Sequence, residues 1–302
     1  MKQPSISVVV AAHDAGATLA AALRSALQQS LAAAEIVVVD DGSNDNTAAC
    51  ASRFGSPVRC LRQRQQGPAA ARNAGIAATD GEWVAFLDAD DGWTARHLEA
   101  SLAIAVQTGA EVVCSDAAVI SGQRMAPSWL ERSGHGWLHG HACGELGQPF
   151  LRLVERGCFV LTSTVCVRRE LLEGAGGFDV SLLPGIEDLD LWLRLARHAR
   201  WAYNAATRIE RNEGGGNLSA RPLNMTHGAV QVWSKALQTE PLSLGVRERK
   251  LLQQRLARAE RELRYCRRIQ EKSRETGRQK MRRWLRGRWT GANTAAAPGS
   301  ER

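Results

Sequence analysis

Apolar runs alternate with helix-patterned stretches along the first hundred residues. Residues 6–12 (ISVVVAA), 35–39 (EIVVV) and 83–87 (WVAFL) are continuous apolar runs, as strands buried on both faces require. Residues 58–61 add a further candidate strand. Between them, residues 17–29, 47–54 and 68–78 carry helix formers and apolar residues at helical spacing. Strands alternating with helices predict an α/β fold on a mostly parallel sheet. Right-handed crossovers then bring the strand carboxyl ends to one edge, where ligands bind in open α/β sheets.

Beyond residue 110 the pattern loosens. Residues 111–120, 164–167 and 201–205 read as strands, and residues 121–147 as a long loop of the functional kind. Residues 187–198 (EDLDLWLRLARH) read as an amphipathic helix with Leu189, Trp192, Leu193 and Leu195 on its core side. Residues 222–238 and 246–274 look helical. The expected division is one α/β domain over 1–220, a basic helical extension over 221–289 and a disordered tail over 290–302.

Charge supports treating the extension separately. The chain of 302 residues has a net charge of +8. Residues 245–289 hold 17 Lys/Arg against 5 Asp/Glu, so the remainder is mildly acidic. A nucleic-acid-binding protein would show a basic body, so no nucleic-acid partner is expected. No stretch reaches 18 uninterrupted apolar residues, and residues 1–5 lack a signal-peptide pattern. Seven widely spaced cysteines without a CxxC read as reduced thiols, and the expected location is cytoplasmic. There is no GxxxxGK[ST], HExxH or GxSxG.

Two acidic clusters end neighbouring strands on the ligand-binding edge. Asp88-Ala89-Asp90-Asp91 follows one apolar run and Asp40-Asp41-Gly42-Ser43 another. Alternate residues of an extended turn point the same way, so Asp88 and Asp90 can converge on Mg²⁺ or Mn²⁺. The other reading is a solvated acidic turn with Asp91 as a helix N-cap. A carboxylate of the second cluster can accept hydrogen bonds from a base or a ribose. Arg72-Asn73 can offer charge to a diphosphate. Glu187-Asp188 reads either as a general base or as a helix start favoured by the dipole.

Taken in order, VVVAAHDAG, EIVVVDDGSNDNT, GPAAARNAGIAATDGEWVAFLDADD, GGFD and GIEDLDLWLRL resemble the family-2 glycosyltransferases of GT-A fold, over roughly residues 4–220. The resemblance implies a Rossmann-like sheet flanked by helices. It implies inverting transfer of a sugar from a nucleotide diphosphate sugar, UDP by default, to a saccharide or lipid-linked acceptor. The setting it suggests is cell-envelope polysaccharide or glycolipid synthesis, with Mn²⁺ or Mg²⁺ as cofactor. It places Ala11 and His13 beside base and ribose, Asp41 on the base and Arg72 beside the nucleotide. Asp88 falls on ribose and metal, Asp90 on the metal, and Asp188 on the catalytic base next to Glu187. The family's usual late histidine is missing from residues 211–219 (RNEGGGNLS), where Glu213 is the candidate oxygen ligand.

Other features carry less. His135, His139, His141 and Cys143 have spacing that can hold zinc or simply form a polar loop. Trp129 and Trp137 suit stacking on an acceptor sugar or packing beneath the loop. Leu252, Leu256, Ala259, Leu263 and Cys266 form a short heptad seam, read as packing on the domain or a homodimer contact. Met281, Trp284, Leu285 and Trp289 lie among arginines, so residues 275–289 suit an anionic membrane surface or a solvated tail. A sugar nucleotidyltransferase is the rival enzyme, but no basic Gly-rich loop follows the first strand.

Overall fold

In the computed structural model, residues 4–121, 124–126, 128–140, 143–212, 222–238 and 244–273 are described. The first half winds as expected: β1 (Ile6–Ala12), α1 (Leu19–Leu27), β2 (Glu35–Asp41), α2 (Thr47–Ser52), β3 (Val58–Gln63), α3 (Pro68–Ala77) and β4 (Trp83–Phe86). β1 pairs in parallel with β2 and β4, and β2 with β3. The strand order begins β3-β2-β1-β4.

Burial explains the run-like patterning of these strands. Val8 and Val10 enter one core with α1, while Val9 enters the other with Ala69 and Ile76 of α3. A central strand covered on both faces has no solvent side, so its sequence does not alternate. β3, at the sheet edge, keeps exposed Arg59 and Arg62, which discourage edge pairing. In α1, Leu19, Ala22, Leu23 and Ala26 make the buried stripe at 3–4 residue spacing.

The second half departs from the simple reading. β5 (Gly92–Trp93), α4 (His97–Thr108), β6 (Val112–Ser121) and β7 (Arg124–Ala126) lead into α5 (Trp129–Arg132). A 3-10 turn (Gly136–Gly140), β8 (Gly144–Glu145) and α6 (Pro149–Arg156) follow. The stretch expected to be a long loop is therefore built from short elements around Leu130 and Leu138, both fully buried. Another 3-10 turn, Thr162–Thr164, precedes β9 (Cys166–Arg168), α7 (Arg169–Gly174), α8 (Glu187–Leu195) and β10 (Trp201–Asn212). β9 runs antiparallel between β4 and β6, so the sheet is mixed. β10 is far longer than residues 201–205 suggest, because it pairs along β6 through an irregularity between Asn204 and Arg208.

α9 (Pro222–Gln238) and α10 (Val246–Ser273) close the described chain. Met225, Val232 and Trp233 of α9, with Leu252 and Ala259 of α10, join the same hydrophobic cluster as Leu189 and Trp192 of α8. The heptad seam of α10 is thus occupied by α9 and α6 of the same chain, which is the packing alternative rather than a free dimer face. Residues 274–302, with the tryptophan–arginine segment and the tail, lie outside the described residues. No described helix is long and apolar enough to cross a membrane.

Candidate active site

The loops after β1 and β2 are stitched into one rim. The amides of Asp14, Ala15 and Gly16 donate to Ser43 Oγ, Thr47 Oγ1 and Asp45 Oδ2 at 2.9, 2.8 and 2.8 Å. In return the Asn44 amide donates to Asp14 Oδ1 at 2.8 Å. Asp14 holds a left-handed φ of 48°, a conformation Asp tolerates better than most residues. Gly16 lets the Asn46 side chain lie close: a Cβ there would lie 1.8 Å from Asn46 Oδ1, and the Asn46 side chain would have to move. The polar run Ser43–Thr47 therefore holds the first loop in place.

Asp41 is buried beneath this rim and accepts three hydrogen bonds. Gln63 Nε2 and the Gln66 amide donate to Oδ1 at 2.7 and 2.8 Å, and the Gly67 amide donates to Oδ2 at 2.7 Å. The carboxylate thereby fixes the segment leading into α3, and among the described residues Oδ2 accepts one hydrogen bond, leaving a lone pair for a further donor. His13 lies alongside, with Nδ1 2.9 Å from the Asp41 carbonyl and Nε2 3.0 Å from Gln65 Nε2. Its Nε2 also lies 3.5 Å from Asp14 Oδ2. Ala11, one residue before the end of β1, is partly exposed on the same edge.

At the end of β4, Asp88 and Asp90 are both partly exposed, while Asp91 is buried. Burial raises the pKa of the Asp90 carboxyl, and the neighbouring Asp88 charge adds to it. Burial and Asp88 likewise push Asp91 up to about 8. Asp91 is not a helix cap: its Oδ2 accepts from Ser163 Oγ at 2.6 Å and its Oδ1 from the Asn212 amide at 3.2 Å. Ser163 Oγ also accepts from the Asp88 amide at 3.0 Å, and Ser163's carbonyl from Trp93 Nε1 at 2.8 Å. The turn Thr162–Thr164 is thus fastened to the acidic strand end. Sequence reading missed this turn, because three small polar residues before a strand have no distinctive pattern.

Arg72 is buried and committed to two carboxylates. Its Nη1 lies 2.6 Å from Glu187 Oε1 and its Nη2 2.8 Å from Asp88 Oδ1. Burial opposes its charge, but Asp88 and Glu187 outweigh that and raise its pKa above the ordinary arginine range. Glu187 also accepts from the Gly185 amide at 2.5 Å. Next in sequence to Arg72, Asn73 makes a two-way bond with the Phe178 backbone, at 2.8 Å in each direction. The motifs RN, GGFD and GIED therefore hold one another. Gly177 fits this contact, with φ 70° and a would-be Cβ 2.5 Å from Asn73 Oδ1.

Asp188 opens the first turn of α8, next to the ion-paired Glu187. Thr162 Oγ1 lies 3.4 Å from its Oδ2, and the Leu189 amide donates to its Oδ1 at 2.7 Å. Burial first, then the Glu187 charge, push its carboxyl up to about 7, against the opposing pull of Arg72. A carboxylate with that pKa, on the same side of the sheet edge as Asp88, has the properties of a proton acceptor near neutral pH.

No group of three or more His, Cys, Asp or Glu among the described residues is arranged to hold a metal alone. Asp88 and Asp90 still fit a divalent cation that takes its other ligands from a substrate diphosphate and water, the usual Mg²⁺ arrangement. Burial first, and then the Asp88 charge, disfavour the ionised Asp90, and a bound cation would offset both. Glu213 lies outside the described residues. Trp137 packs against Phe159 with Arg152 over its ring at 4.7 Å, and Arg211 covers Trp129 at 4.6 Å. Of the zinc constellation, His135 is buried between Ser133 Oγ and the Arg156 carbonyl, and His141 lies outside the described residues.

Comparison with known proteins gives a family match. The model of "Glycosyl transferase family 2" matches residues 7–161. The succinoglycan biosynthesis protein ExoO of Rhizobium meliloti is 39% identical over 122 residues, covering 40% of this chain and 35% of ExoO. WfgD of Escherichia coli is named a UDP-Glc:alpha-D-GlcNAc-diphosphoundecaprenol beta-1,3-glucosyltransferase. It is 35% identical over 101 residues, covering 33% of this chain and 40% of WfgD. The match thus spans well under half the length of these two relatives. The crystal structure of S. aureus TarS in complex with UDP superposes with a TM-score of 0.65 at 18% identity. That superposition covers 93% of this chain and 78% of TarS, and shows a common fold.

Proposed function

The chain belongs to glycosyl transferase family 2, and we propose that it is an inverting enzyme of cell-envelope polysaccharide or glycolipid synthesis. It moves a sugar from a nucleoside diphosphate sugar to a saccharide or lipid-linked acceptor. The observation that carries this reading is the placement of Asp188 beside Glu187, Arg72 and Asp88 on one sheet edge. The acceptor hydroxyl must lose its proton as it attacks the anomeric carbon, and Asp188 takes it. A single base on the face opposite the leaving group gives inversion.

The nucleotide lies over the rim formed by the β1 and β2 loops. Ala11 and His13 flank base and ribose, and the open position on Asp41 Oδ2 accepts the base N–H. Asp88 serves the ribose, and with Asp90 it would hold a divalent cation. That cation would supply Lewis-acid stabilisation of the departing diphosphate. Arg72 acts from beneath: it keeps Asp88 and Glu187 in register and lends positive potential to the site. UDP-glucose is the first donor to try, because WfgD is named for that donor and for a diphosphoundecaprenol acceptor. A lipid-linked acceptor places the enzyme at the membrane face, with the basic C-terminal segment as the attachment.

The test is a thermal-shift panel of nucleotide sugars with and without Mn²⁺, followed by release of nucleoside diphosphate in the presence of saccharide and polyprenyl-diphosphate acceptors. A donor that stabilises the fold and is consumed with inversion supports the reading. A panel in which no donor stabilises the fold and none is consumed sinks it.

A further inference from the structure

α10 is amphipathic in an unusual sense. Its inner face buries Leu252, Ala259, Leu263 and Cys266 against α9 and α6. The helix holds ten Lys/Arg and four Glu. Its outer face exposes Arg247, Lys250, Arg258, Arg261, Arg264 and Arg268. Three of these have partners: Arg247 pairs with Glu155, Arg258 with Glu262, and Arg264 lies 4.0 Å from Glu260. Among the described residues, Lys250, Arg261 and Arg268 meet no carboxylate. At 100° per residue they lie within about 20° of one another, on the side opposite the buried seam. The row from Arg247 to Arg268 is about 32 Å long.

We infer that this outer face of α10 is a docking surface for an anionic phospholipid bilayer. A single helix face of guanidinium and ammonium groups, with Lys250, Arg261 and Arg268 aligned along it, matches a flat, uniformly negative plane, where each basic side chain near the surface adds attraction. Residues 1–244 are mildly acidic, which disfavours the wrapping contacts that nucleic acid needs. The sequence continues past α10 with Trp284 and Trp289 among arginines, residue types suited to the same interface. The inference also gives the site a fixed height. α10 packs on α9, and α9 packs on α8, which carries Asp188. Two helix spacings put the base roughly 20 Å above the docked face. This last step rests on the proposed transfer to a lipid-linked acceptor; the docking itself does not.

The experiment is co-sedimentation of the full chain with vesicles of phosphatidylcholine alone or with 30% phosphatidylglycerol. The wild-type chain, the variant K250E/R261E/R268E and a control, R24E/R53E/R96E, are compared at equal ionic strength. Arg24, Arg53 and Arg96 are exposed far along the chain from α10 and give the same change in net charge. Circular dichroism melts verify that each variant is folded. The expected result is binding to the anionic vesicles only, a loss of at least tenfold in the α10 variant, and little loss in the control. Equal binding by all three proteins, equal losses in the two variants, or no binding by the wild type overturns the inference. So does wild-type binding to duplex DNA at the same salt that exceeds its binding to vesicles. Donor hydrolysis in solution is read in parallel, so failure of the transferase reading shows up separately from failure of docking.

Discussion

Arg72 and Glu187 form a buried ion pair of 2.6 Å between α3 and the first turn of α8, and the same guanidinium reaches Asp88 at 2.8 Å. One side chain therefore ties the end of β4 to the helix that carries Asp188. Replacing Arg72 with Met strands Glu187 in the core, where it is 3% exposed. Breaking a buried pair in this way costs about 3–5 kcal/mol. R72M is expected to lose that much in urea unfolding and to lose kcat. R72K keeps one charge but not the fork that spans two carboxylates, so it should recover stability more than rate. Equal stability of R72M and wild type would show that the pair does not hold the site together.

The pH dependence of Asp188 has a defined sign. Its folded pKa, about 7, exceeds its ordinary value of 3.8. The folded chain therefore holds a proton that the unfolded chain has released, and stability falls as pH rises from about 4 to about 7. Asp188→Asn removes that loss. Its Tm should match wild type below pH 4 and exceed it increasingly up to about pH 7. Activity runs the other way: wild-type kcat/KM should drop on the acid side of about pH 7, and D188N should lose on the order of 10²–10⁴-fold at every pH. A wild-type profile flat between pH 5 and 8 contradicts the role of this carboxyl as base.

The winding of β1 to β4 was legible because central parallel strands must be apolar throughout, and Val8, Val9 and Val10 each face a core. Asp41 and Asp88 stand out for a related reason, because each ends a buried apolar run; Asp188 opens an amphipathic helix, where a carboxylate is ordinary, and only the family resemblance singles it out. Other roles were not legible. Arg72 reads as a free cation on paper, yet the fold spends it on two carboxylates from residues 88 and 187. Asp91 reads as a helix cap, yet it binds Ser163, 72 positions away. Such pairings depend on which segments the sheet order β4-β9-β6 brings together, and local pattern carries no record of that order. The stretch from 121 to 147 was opaque because its elements are four or five residues long or shorter, below the length at which periodicity can be read.

Asp90 is the cleanest probe of the cation. It is partly exposed; its backbone carbonyl accepts from Asn212 Nδ2, and its carboxylate feels the attraction of Arg211. Asp90→Ala should therefore leave Tm within about 1 kcal/mol equivalent of wild type, as surface changes do. Binding of Mn²⁺ together with nucleoside diphosphate, followed by calorimetry, should weaken at least tenfold. Mn²⁺ titration that is unchanged in D90A would remove this residue from the cation site.

Gly228 tests how α9 supports α8. A Cβ on Gly228 would lie 2.3 Å from Ile186 Cγ2 and 3.1 Å from Ile186 Cβ. Ile186 is the residue before Glu187 and Asp188, at the N-terminal boundary of α8. Gly228→Ala gains about 1 kcal/mol of helix propensity in α9 but forces Ile186 aside, and overpacking of this kind costs about 1–3 kcal/mol. The net loss of global stability is then about 0–2 kcal/mol, and the displacement should register in rate. A shift of Asp188 by a few tenths of an ångström should lower kcat several-fold and leave donor KM unchanged, because the nucleotide rim of β1 and β2 is not touched. Gly174→Ala is the matched control, since a Cβ there meets nothing within 4 Å. If G228A and G174A are equally active, contact with α9 does not set the position of the base.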